Sequence, residues 1–412
     1  MKVTIINCGS SSIKYAMFDM STRDLLGSGI LERIGTRESR ARHRRRNDYG
    51  SFDEIIMHEP VADHKEGFEF ILTVAAKMKI LKDPNELFGI GHRVVHGGEV
   101  YSGPVLIDRG VIARIRELIP LAPLHNPANL KGIEVAVGIV PDVPQVAVFD
   151  TSFHAPMPPR AFHYALPYKF YEEYHVRRYG FHGNSHHYVA KRAAALLGKP
   201  LESINLITLH LGNGASAAAI QCGKSIDTSM GMTPLEGLVM GTRSGDLDPA
   251  ILFYLRRELG VSMEEVEGML NNESGLKGIC GSNDMREIVR LADEDNPRAR
   301  LAMDIYCYRI KKYIGAYSAV LGRVDAIVFT GGIGENSKNV RAGSCEGLSG
   351  LGIMINEKKN DAVSGKESEI QDDRSAVKIL VIPTDEELEI ACHTVDTISA
   401  SRCTPLLAER RE

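Results

Sequence analysis

Short apolar runs that end in glycine-rich turns dominate the pattern of this chain. Residues 3–7 (Val-Thr-Ile-Ile-Asn) form an apolar run that enters Cys-Gly-Ser-Ser-Ser, and a second run follows over residues 13–18. The same order recurs about 200 residues later, where residues 204–210 enter Leu-Gly-Asn-Gly-Ala and a further run follows over residues 217–221. Each copy predicts two strands joined by a tight turn. Two copies of one unit predict a duplicated fold.

A third apolar run, residues 325–330, also enters a glycine-rich segment, and the spacing before it is typical of a helix. Apolar residues there step by four, three and four, at Ile310, Ile314, Tyr317 and Leu321. Gly322 then ends the predicted helix. Strands alternate with helices through most of the chain, which predicts an α/β architecture with mixed sheets.

The chain changes character after residues 144–150, an apolar run that ends on Asp150. Prolines crowd into residues 155–160 directly afterwards, which is typical of a junction between domains. Later, residues 227–246 form a glycine-punctuated run that is long for a loop in a compact domain. Its few charges and its apolar residues favour a functional loop over a disordered one.

The composition, with 43% hydrophobic and 25% charged residues over 412 positions, is that of a globular protein. The chain has no run near the roughly 18 apolar residues of a membrane helix and no signal peptide, which predicts a cytoplasmic protein without a membrane partner. Its formal net charge of −4 argues against a nucleic-acid partner. The seven cysteines include no Cys-x-x-Cys pair, so neither a disulfide framework nor a structural metal is expected.

One local exception to this charge balance lies between Arg37 and Arg46, where six arginines fall within ten residues. The run is either an anion site or a solvated surface loop. We favour the loop, since no aromatic residues interleave with the arginines and acidic residues follow at Asp53 and Glu54.

The three glycine-rich segments are the main chemical signal, because glycine lets successive backbone N–H groups approach an anion closely. Residues 7–12 and 210–214 suit two opposed phosphate clamps, and residues 331–336 suit the sugar or base of a nucleotide. The chain carries neither the Walker A spacing nor a complete Gly-x-Gly-x-x-Gly fingerprint, which excludes P-loop NTPases and weakens a dinucleotide enzyme.

Cationic and imidazole side chains in apolar or glycine-rich surroundings are the second signal: His92, Arg93, His125, His182 and Arg243. Each alone is as consistent with a structural hydrogen bond as with a ligand. Together with Asp150 at a strand end they supply what phosphoryl transfer needs. Phosphoryl transfer requires positively charged groups that donate hydrogen bonds to the transferred phosphoryl group, and an acid that organises metal or ligand.

These residues lie in nine segments whose order and sequence resemble the acetokinase family, the acetate and propionate kinase group. The segments are residues 7–14, 92–98, 125–127, 149–154, 178–183, 210–214, 241–246, 329–336 and 383–387. The resemblance implies the duplicated actin-like ATPase fold that acetokinases share with sugar kinases, Hsp70 and actin, with ATP in a cleft between two domains. The first domain would comprise residues 1–150 plus a C-terminal helix at about 385–400, and residues 151–384 would carry the nucleotide-binding and dimerisation surfaces.

The family activity is the reversible transfer of a phosphoryl group from ATP to acetate, which gives acetyl phosphate and ADP. The resemblance implies acetate and ATP as partners, Mg²⁺ as the cofactor with Mn²⁺ as an alternative, and a homodimer. Carried over residue by residue, it places catalytic groups at Asp150, His182 and Arg243 and metal ligands at Asn7 and Glu386. Acetate would be bound by Arg93, Val95, Leu124, His125, Phe181 and Pro234. The nucleotide would be bound by Ser10, Ser12, Lys14, His210, Leu211, Gly212, Asn213, Gly214, Asp284, Met285, Arg286, Gly332, Ile333, Gly334, Glu335 and Asn336.

Two local arguments refine these roles. Residues 384–387 (Thr-Asp-Glu-Glu) form a capping-box pattern, which gives Glu387 a structural task and leaves Glu386 as the metal candidate. Acetate is already an ionised nucleophile at pH 7. Asp150 is therefore expected to place the other groups rather than to accept a proton.

Two alternatives remain open. Propionate-preferring relatives tend to carry a smaller residue where this chain has Val95, so acetate is favoured over a propionate or other short-chain carboxylate kinase. The second alternative is an ATP-driven switch of the chaperone or filament class, which expects a partner-binding appendage. Beyond the last predicted helix only residues 401–412 remain, which is too short for such a domain.

Overall fold

The fold is known from a computed structural model, which describes residues 1–47 and 49–408. The chain divides into two compact units. Unit 1 comprises Met1–Ser152 and the chain from Asp385 onward, and unit 2 comprises Phe153–Thr384. The sequence places this boundary after residue 150 and assigns the helix at about 385–400 to the first domain.

Strands and helices alternate along both units. The strands are β1 (Lys2–Gly9), β2 (Ser12–Asp19), β3 (Asp24–Glu32), β4 (Arg40–Arg46), β5 (Phe52–His58), β6 (Leu87–Val94), β7 (Val105–Leu106), β8 (Gln145–Phe149), β9 (Asn205–Leu211), β10 (Ala215–Gln221), β11 (Lys224–Thr228), β12 (Ala326–Thr330), β13 (Ser368–Glu369) and β14 (Lys378–Val381). The helices are α1 (His64–Lys77), α2 (Arg109–Glu117), α3 (Asn126–Ile139), α4 (Pro159–Phe162), α5 (Lys169–Tyr174), α6 (Gly183–Leu197), α7 (Ala250–Leu259), α8 (Met263–Asn272), α9 (Gly275–Cys280), α10 (Met285–Asp293), α11 (Pro297–Leu321), α12 (Gly331–Asn336), α13 (Lys338–Cys345), α14 (Glu357–Asp361) and α15 (Glu386–Ala408).

In the described part of unit 1, eight strands form one sheet with the order β5-β4-β3-β2-β1-β6-β8-β7. β6 pairs in parallel with both β1 and β8, so the carboxyl ends of three adjacent strands lie at one edge. Side chains alternate between the two faces of a strand. In β2, Ile13 and Met17 therefore enter the core beneath α1 and α3. Ala16 and Phe18 pack on the other face, with Ile390 of α15.

Unit 2, all of whose residues the structure describes, is built on a six-stranded sheet with the order β11-β10-β9-β12-β14-β13. Three antiparallel strands (β11, β10, β9) are followed by two parallel ones (β12, β14). The order β3-β2-β1-β6-β8 in unit 1 has the same directions. This repeat confirms the predicted duplication and the α/β class with mixed sheets.

The elements predicted from apolar spacing fall where they were expected. The predicted strands lie in β1, β2, β9, β10 and β12. The predicted helix is α11, whose buried residues include Ile310, Ile314, Tyr317 and Leu321. The helix ends before Gly322, which has a φ of 71°, a conformation that favours glycine.

The interpretation of the arginine run as a solvated loop is wrong. Residues 40–46 form β4, which pairs with β3 on one side and β5 on the other. Ala41 and His43 are buried, whereas Arg40, Arg42 and Arg44 are exposed. The strand pattern is hard to recognise in the sequence because only two weakly apolar positions mark its buried face. Its pairing partners lie in other segments of the chain.

The start of α15 also differs from the prediction. Asp385, not Thr384, caps the helix, because Asp385 Oδ1 accepts the Leu388 N–H at 2.9 Å. Thr384 belongs to unit 2, where its hydroxyl lies 2.8 Å from Ser185 Oγ. The predicted capping box is therefore not formed, and Glu387 does not have the structural role that the sequence predicted for it.

The C-terminal helix is longer than expected. α15 runs to Ala408, whereas the sequence predicts a helix at about 385–400 and a tail over residues 401–412. Residues 409–412 of that tail lie outside the described residues. Among the helices that the structure describes, none combines the length and the apolar character needed to cross a membrane.

Because four histidines are buried, we expect the protein to be less stable at acidic pH. His43, His92, His96 and His154 are at most 2% exposed, and burial lowers the pKa of each to about 4. In the unfolded chain the pKa is about 6.5, so the unfolded state binds protons first as the pH falls. The stabilisation that is present above pH 6.5 is therefore lost progressively down to about pH 4.

We expect urea denaturation to show a lower midpoint at pH 5 than at pH 7. Each histidine contributes up to about 2 kcal/mol to the difference, at about 1.4 kcal/mol per pH unit. A midpoint that is the same at both pH values would contradict this account of the buried imidazoles.

Candidate active site

Unit 1 brings three predicted site residues to the carboxyl ends of its parallel strands. Asn7 lies near the end of β1, Arg93 lies in β6 and Asp150 directly follows β8. Because side chains alternate, each shares a face with the residue two positions earlier. Those earlier residues pack on the face that α15 covers: Ile5, Gly91 and Val148. The three site residues therefore share that face.

Arg93 and Asp150 form a two-pronged ion pair. Arg93 Nε donates to both carboxylate oxygens of Asp150 at 3.1 Å, and Nη2 donates to Oδ2 at 2.7 Å. Asp150 is 1% exposed, and its charge raises the pKa of Arg93 further. The pair does not use Nη1. This nitrogen is the part of the guanidinium that remains for a second anion.

Glu386, the first residue of α15, adds a second carboxylate to this cluster. Burial raises its pKa to about 7; Arg93 opposes the increase, and the charges of Asp150 and Glu387 add to it. A cation bound near Glu386 would reduce the repulsion between these carboxylates. The Asn7 carboxamide makes no side-chain hydrogen bond to any residue that the structure describes, so its oxygen remains available. Carboxylate and amide oxygens are the ligands that Mg²⁺ prefers, and the residues present therefore fit a magnesium site.

The turn between β1 and β2 carries the predicted phosphate contacts of unit 1. His64 Nε2 donates to the Gly9 carbonyl at 2.8 Å and fixes the turn. Ser10 is exposed and Ser12 half-buried. Lys14 lies directly opposite Asn7 in the β1–β2 register, so both side chains project from the same face.

The residues predicted to enclose acetate are divided between the two units. Val95 is 8% exposed and its N–H donates to Asn129 Oδ1 at 3.0 Å. Leu124, in contrast, is 69% exposed, and His125 is half-buried at the start of α3. Two further residues of the predicted pocket belong to unit 2: Phe181, which is buried, and Pro234, which is half-buried.

His182 lies at the start of α6 in a left-handed backbone conformation, with a φ of 57°. Its Nδ1 lies 2.9 Å from Ser216 Oγ, and its ring stacks on His210 with centroids 4.2 Å apart. His210 Nδ1 lies 2.7 Å from Ser185 Oγ. Because His210 and Ser216 are paired residues of β9 and β10, the sheet fixes the orientation of the His182 ring.

Arg243 and His182 both border the glycine turn that follows β9. A Cβ placed on Gly214 would lie 3.5 Å from His182 Cε1 and 3.8 Å from Arg243 Nη1. The Gly241 N–H donates to the Asn213 carbonyl at 2.9 Å, which ties the loop of Arg243 to this turn. Burial lowers the pKa of Arg243, and within the described residues no carboxylate pairs with it. Unit 2 thus places one imidazole and one guanidinium beside the same glycine turn.

A cavity of about 1100 Å³ lies beside the same turn. Eight of its lining residues are predicted nucleotide contacts: Gly212, Asn213, Asp284, Met285, Arg286, Gly332, Ile333 and Asn336. Sequence reasoning missed five others: Asn283, Val289, Ser337, Lys338 and Asn339. Most of these are polar residues next to a predicted contact or at the start of α13, and that proximity is the signal that could have identified them.

The remaining predicted contacts of unit 2 do not line this cavity: His210, Leu211, Gly214, Gly334 and Glu335. The Glu335 carboxylate turns inward, where it accepts the N–H groups of Gly331 at 2.9 Å and Thr384 at 3.2 Å. Residues 331–336 form helix α12 rather than an open turn. Only one side of this helix therefore faces the cavity.

Comparison with known proteins extends the resemblance to nearly the whole chain. The model of the acetokinase family matches residues 2–392. An acetate kinase of Syntrophobacter fumaroxidans is 59% identical over 399 residues, which is 97% of this chain and 97% of that protein. An acetate kinase of Sulfurovum sp. is 54% identical over 400 residues, which is 97% of this chain and 99% of that protein.

Solved structures extend the similarity to the fold. The acetate kinase of Porphyromonas gingivalis matches with a TM-score of 0.92 at 45% identity, over 96% of this chain and 99% of that one. A propionate kinase from Francisella tularensis matches with a TM-score of 0.89 at 43% identity, over 96% of this chain and 99% of that one.

Proposed function

The chain belongs to the acetokinase family, and from this premise we propose that the protein transfers the γ-phosphoryl group of ATP to acetate. The reaction is reversible and gives acetyl phosphate and ADP. The observation that carries the proposal is the cluster of Arg93, Asp150 and Glu386 in unit 1. It combines a cation for a carboxylate with acids for a metal, as phosphoryl transfer to acetate requires.

Acetate attacks as a carboxylate, so no general base is needed. One acetate oxygen attacks the γ-phosphorus in line with the departing ADP oxygen, and that P–O bond breaks as the new one forms. Arg93 Nη1 binds the acetate, because Asp150 already engages Nε and Nη2. Asp150 thereby fixes the direction of the guanidinium and accepts no proton from the substrate.

Asn7 and Glu386 would hold Mg²⁺, or Mn²⁺ in its place. When bound, the metal neutralises charge on the phosphates. His182 and Arg243 act on the transferring group, whose negative charge is spread over its equatorial oxygens. The His182 ring is held by Ser216 and His210, so it is already oriented before the substrate arrives.

The nucleotide occupies the cavity beside the Gly214 turn, between α10 and the start of α13. In unit 1, the phosphates of the nucleotide bind to Ser10, Ser12 and Lys14. We also propose a cytoplasmic location, which agrees with the seven cysteines being free thiols.

Val95→Ala should shift substrate preference toward propionate. Val95 is almost fully buried, so its truncation creates room for one more methylene rather than a new solvent channel. One methylene in an apolar pocket is worth about 1–3 kcal/mol, so we expect kcat/KM for propionate relative to acetate to rise about tenfold. Steady-state kinetics with C2 to C4 acids measures this ratio. Leu124→Ala is the comparison variant, and an unchanged ratio in Val95→Ala would show that another residue limits the size.

Propionate kinase is the second candidate function, since one of the similar structures is a propionate kinase. The same series of acids separates the two candidates in the unmodified protein. A higher kcat/KM for propionate than for acetate would favour the second.

A homodimer that forms through unit 2 completes the proposal. Helix α7 buries none of its residues within the chain. Four of its large apolar side chains are 45% to 64% exposed: Ile251, Phe253, Tyr254 and Leu259. Several exposed apolar side chains on one helix are typical of a protein interface. Sedimentation equilibrium tests this assignment, and Phe253→Glu should shift the protein toward the monomer.

The decisive test of the activity is an assay with ATP, Mg²⁺ and acetate in which acetyl phosphate is trapped as its hydroxamate. Hydroxamate and ADP should form in equal amounts. ADP release without hydroxamate would instead indicate an ATPase of the switch class. Omission of acetate provides the control for background hydrolysis.

A further inference from the structure

Three polar side chains of unit 2 take no part in the proposed reaction, yet short hydrogen bonds join them. Glu236 accepts a bond from Arg178 Nη2 at its Oε1 and one from the Tyr164 hydroxyl at its Oε2, both 2.5 Å long. A Cβ on Gly231 would lie only 2.0 Å from Glu236 Oε2 and 2.3 Å from the Tyr164 hydroxyl. The backbone therefore approaches these groups too closely for a side chain at Gly231. Tyr164, Arg178 and Glu236 are called the latch below.

The latch fixes the backbone that leaves β11. Arg178 Nη1 lies 3.0 to 3.1 Å from three successive carbonyl oxygens, those of Thr228, Ser229 and Met230. The Tyr164 hydroxyl accepts the Met232 N–H at 3.0 Å while it donates to Glu236. Two side chains thus satisfy four backbone groups and one carboxylate. Together these bonds specify one path for the segment.

The same segment also supports the stretch of backbone that directly precedes His182. The Gly231 carbonyl accepts the N–H of Tyr179 at 3.0 Å and that of Gly180 at 3.2 Å. These two residues directly precede the Phe181-His182 pair. The backbone held by the latch therefore also sets the position of the chain that leads into His182.

Beyond Glu236, a second set of bonds closes the loop that contains Arg243. The Gly237 N–H donates to Asp246 Oδ1 at 2.8 Å, and the Asp246 N–H donates to the Gly237 carbonyl at 2.9 Å. The Tyr313 hydroxyl donates to Asp246 Oδ2 at 2.8 Å. The base of this loop begins one residue after Glu236. The loop that carries Arg243 therefore starts directly after the latch.

From these contacts we propose that the latch positions Arg243, so that Glu236 is a positioning residue for phosphoryl transfer. Arg243 Nη1 lies 3.5 Å from the Pro234 carbonyl, which belongs to the segment between Met232 and Glu236. The inference rests on the proposed function, in which Arg243 stabilises the transition state. Loss of the latch misdirects the guanidinium without removing it. A misplacement of about 1 Å can lower a rate about 100-fold.

Substitutions at Glu236 test this proposal by steady-state kinetics. We expect Glu236→Ala to lower kcat about 100-fold and Glu236→Gln, which keeps the shape and one acceptor, about tenfold. The KM for ATP should stay within about twofold, because no latch residue lines the nucleotide cavity. Tyr164→Phe, which removes only the hydroxyl, should give a smaller loss in the same direction. An unchanged kcat in Glu236→Ala would overturn the proposal.

A matched control separates positioning from general stability. Glu367 accepts two bonds from Arg192, at 2.6 and 2.9 Å, and belongs to the same unit as the latch. Glu367→Gln removes a similar arginine–carboxylate pair outside the loop and should leave kcat unchanged. Melting temperatures are measured for all variants. A kcat that falls only in proportion to the unfolded fraction would overturn the proposal.

A double-mutant cycle with Arg243→Ala tests whether the latch acts through Arg243. If it does, Glu236→Gln causes little further loss of kcat in the Arg243→Ala background. Losses that multiply would overturn the positioning role and leave the proposed function intact. If Arg243→Ala itself leaves kcat unchanged, the role of Arg243 fails and the positioning role fails with it.

Discussion

Replacing Asp150 with Asn should abolish acetyl phosphate formation while the protein still folds and binds acetate. Asparagine keeps the shape of the side chain but loses its charge, so the bonds from Arg93 lose their ionic partner. Glu386, whose charge also acts on Arg93, then competes for the guanidinium. Arg93 keeps its charge and still binds acetate, but its Nη1 is no longer held in one orientation for the reaction. Because preorganised charge of this kind is worth a factor of 10² to 10³ for a single donor, we expect a loss of kcat of about 10³-fold.

The hydroxamate assay measures the turnover of Asp150→Asn, and calorimetry measures its binding of acetate. Asp325→Asn is a matched control, since Asp325 is 12% exposed, pairs with Arg323 at 3.2 Å and accepts the Asn205 N–H at 2.9 Å. The control should lose stability and keep its kcat. Breaking a buried ion pair can cost about 3–5 kcal/mol, so melting temperatures are compared for both variants. Normal turnover in Asp150→Asn would contradict the assignment.

The local pattern of the sequence predicts elements well where burial follows a simple period. The four-three-four spacing that ends at Leu321 specifies α11 because one face of that helix is buried along its second half. β4 lacks such a signal, since only Ala41 and His43 mark its buried face. Its formation depends on pairing with β3 and β5, which a local pattern does not reveal.

The N-cap of α15 is a second feature that the local sequence does not determine. Thr384 and Asp385 are both good N-cap residues, so their propensities do not decide between them. The choice follows from tertiary contacts, because the Thr384 hydroxyl lies against Ser185 and the Thr384 N–H donates to Glu335. Asp385 is left to cap the helix.

The sequence predicts the residues of the candidate site but not the contacts between them. Strand ends identify where Arg93 and Asp150 lie, yet the two are 57 positions apart and their bidentate pairing appears only in the folded sheet. The pairing changes the interpretation of Arg93, because one edge of its guanidinium is already occupied. The latch around Glu236 was not predicted, since its members look like ordinary polar residues of a long loop.

Replacing Arg243 with Ala should lower kcat by about 10³-fold or more and change the affinity for ATP little. Arg243 borders the Gly214 turn but does not line the nucleotide cavity. Burial lowers its pKa, and among the described residues no carboxylate compensates its charge. A partly buried charge without an anionic partner interacts most strongly with negative charge that arrives during the reaction.

Steady-state kinetics over both substrates separates the possible roles of Arg243. Equal losses in kcat and kcat/KM indicate an interaction made only in the transition state, and this is the pattern expected for Arg243→Ala. Arg243→Lys keeps the charge but not the planar fork, so its kcat should lie between those of the alanine variant and the unmodified protein. Arg192→Ala, at the pair with Glu367, should keep a normal kcat and serves as the control. A raised KM for ATP with an unchanged kcat would instead make Arg243 a binding residue, because the lost interaction would then stabilise substrate and transition state equally.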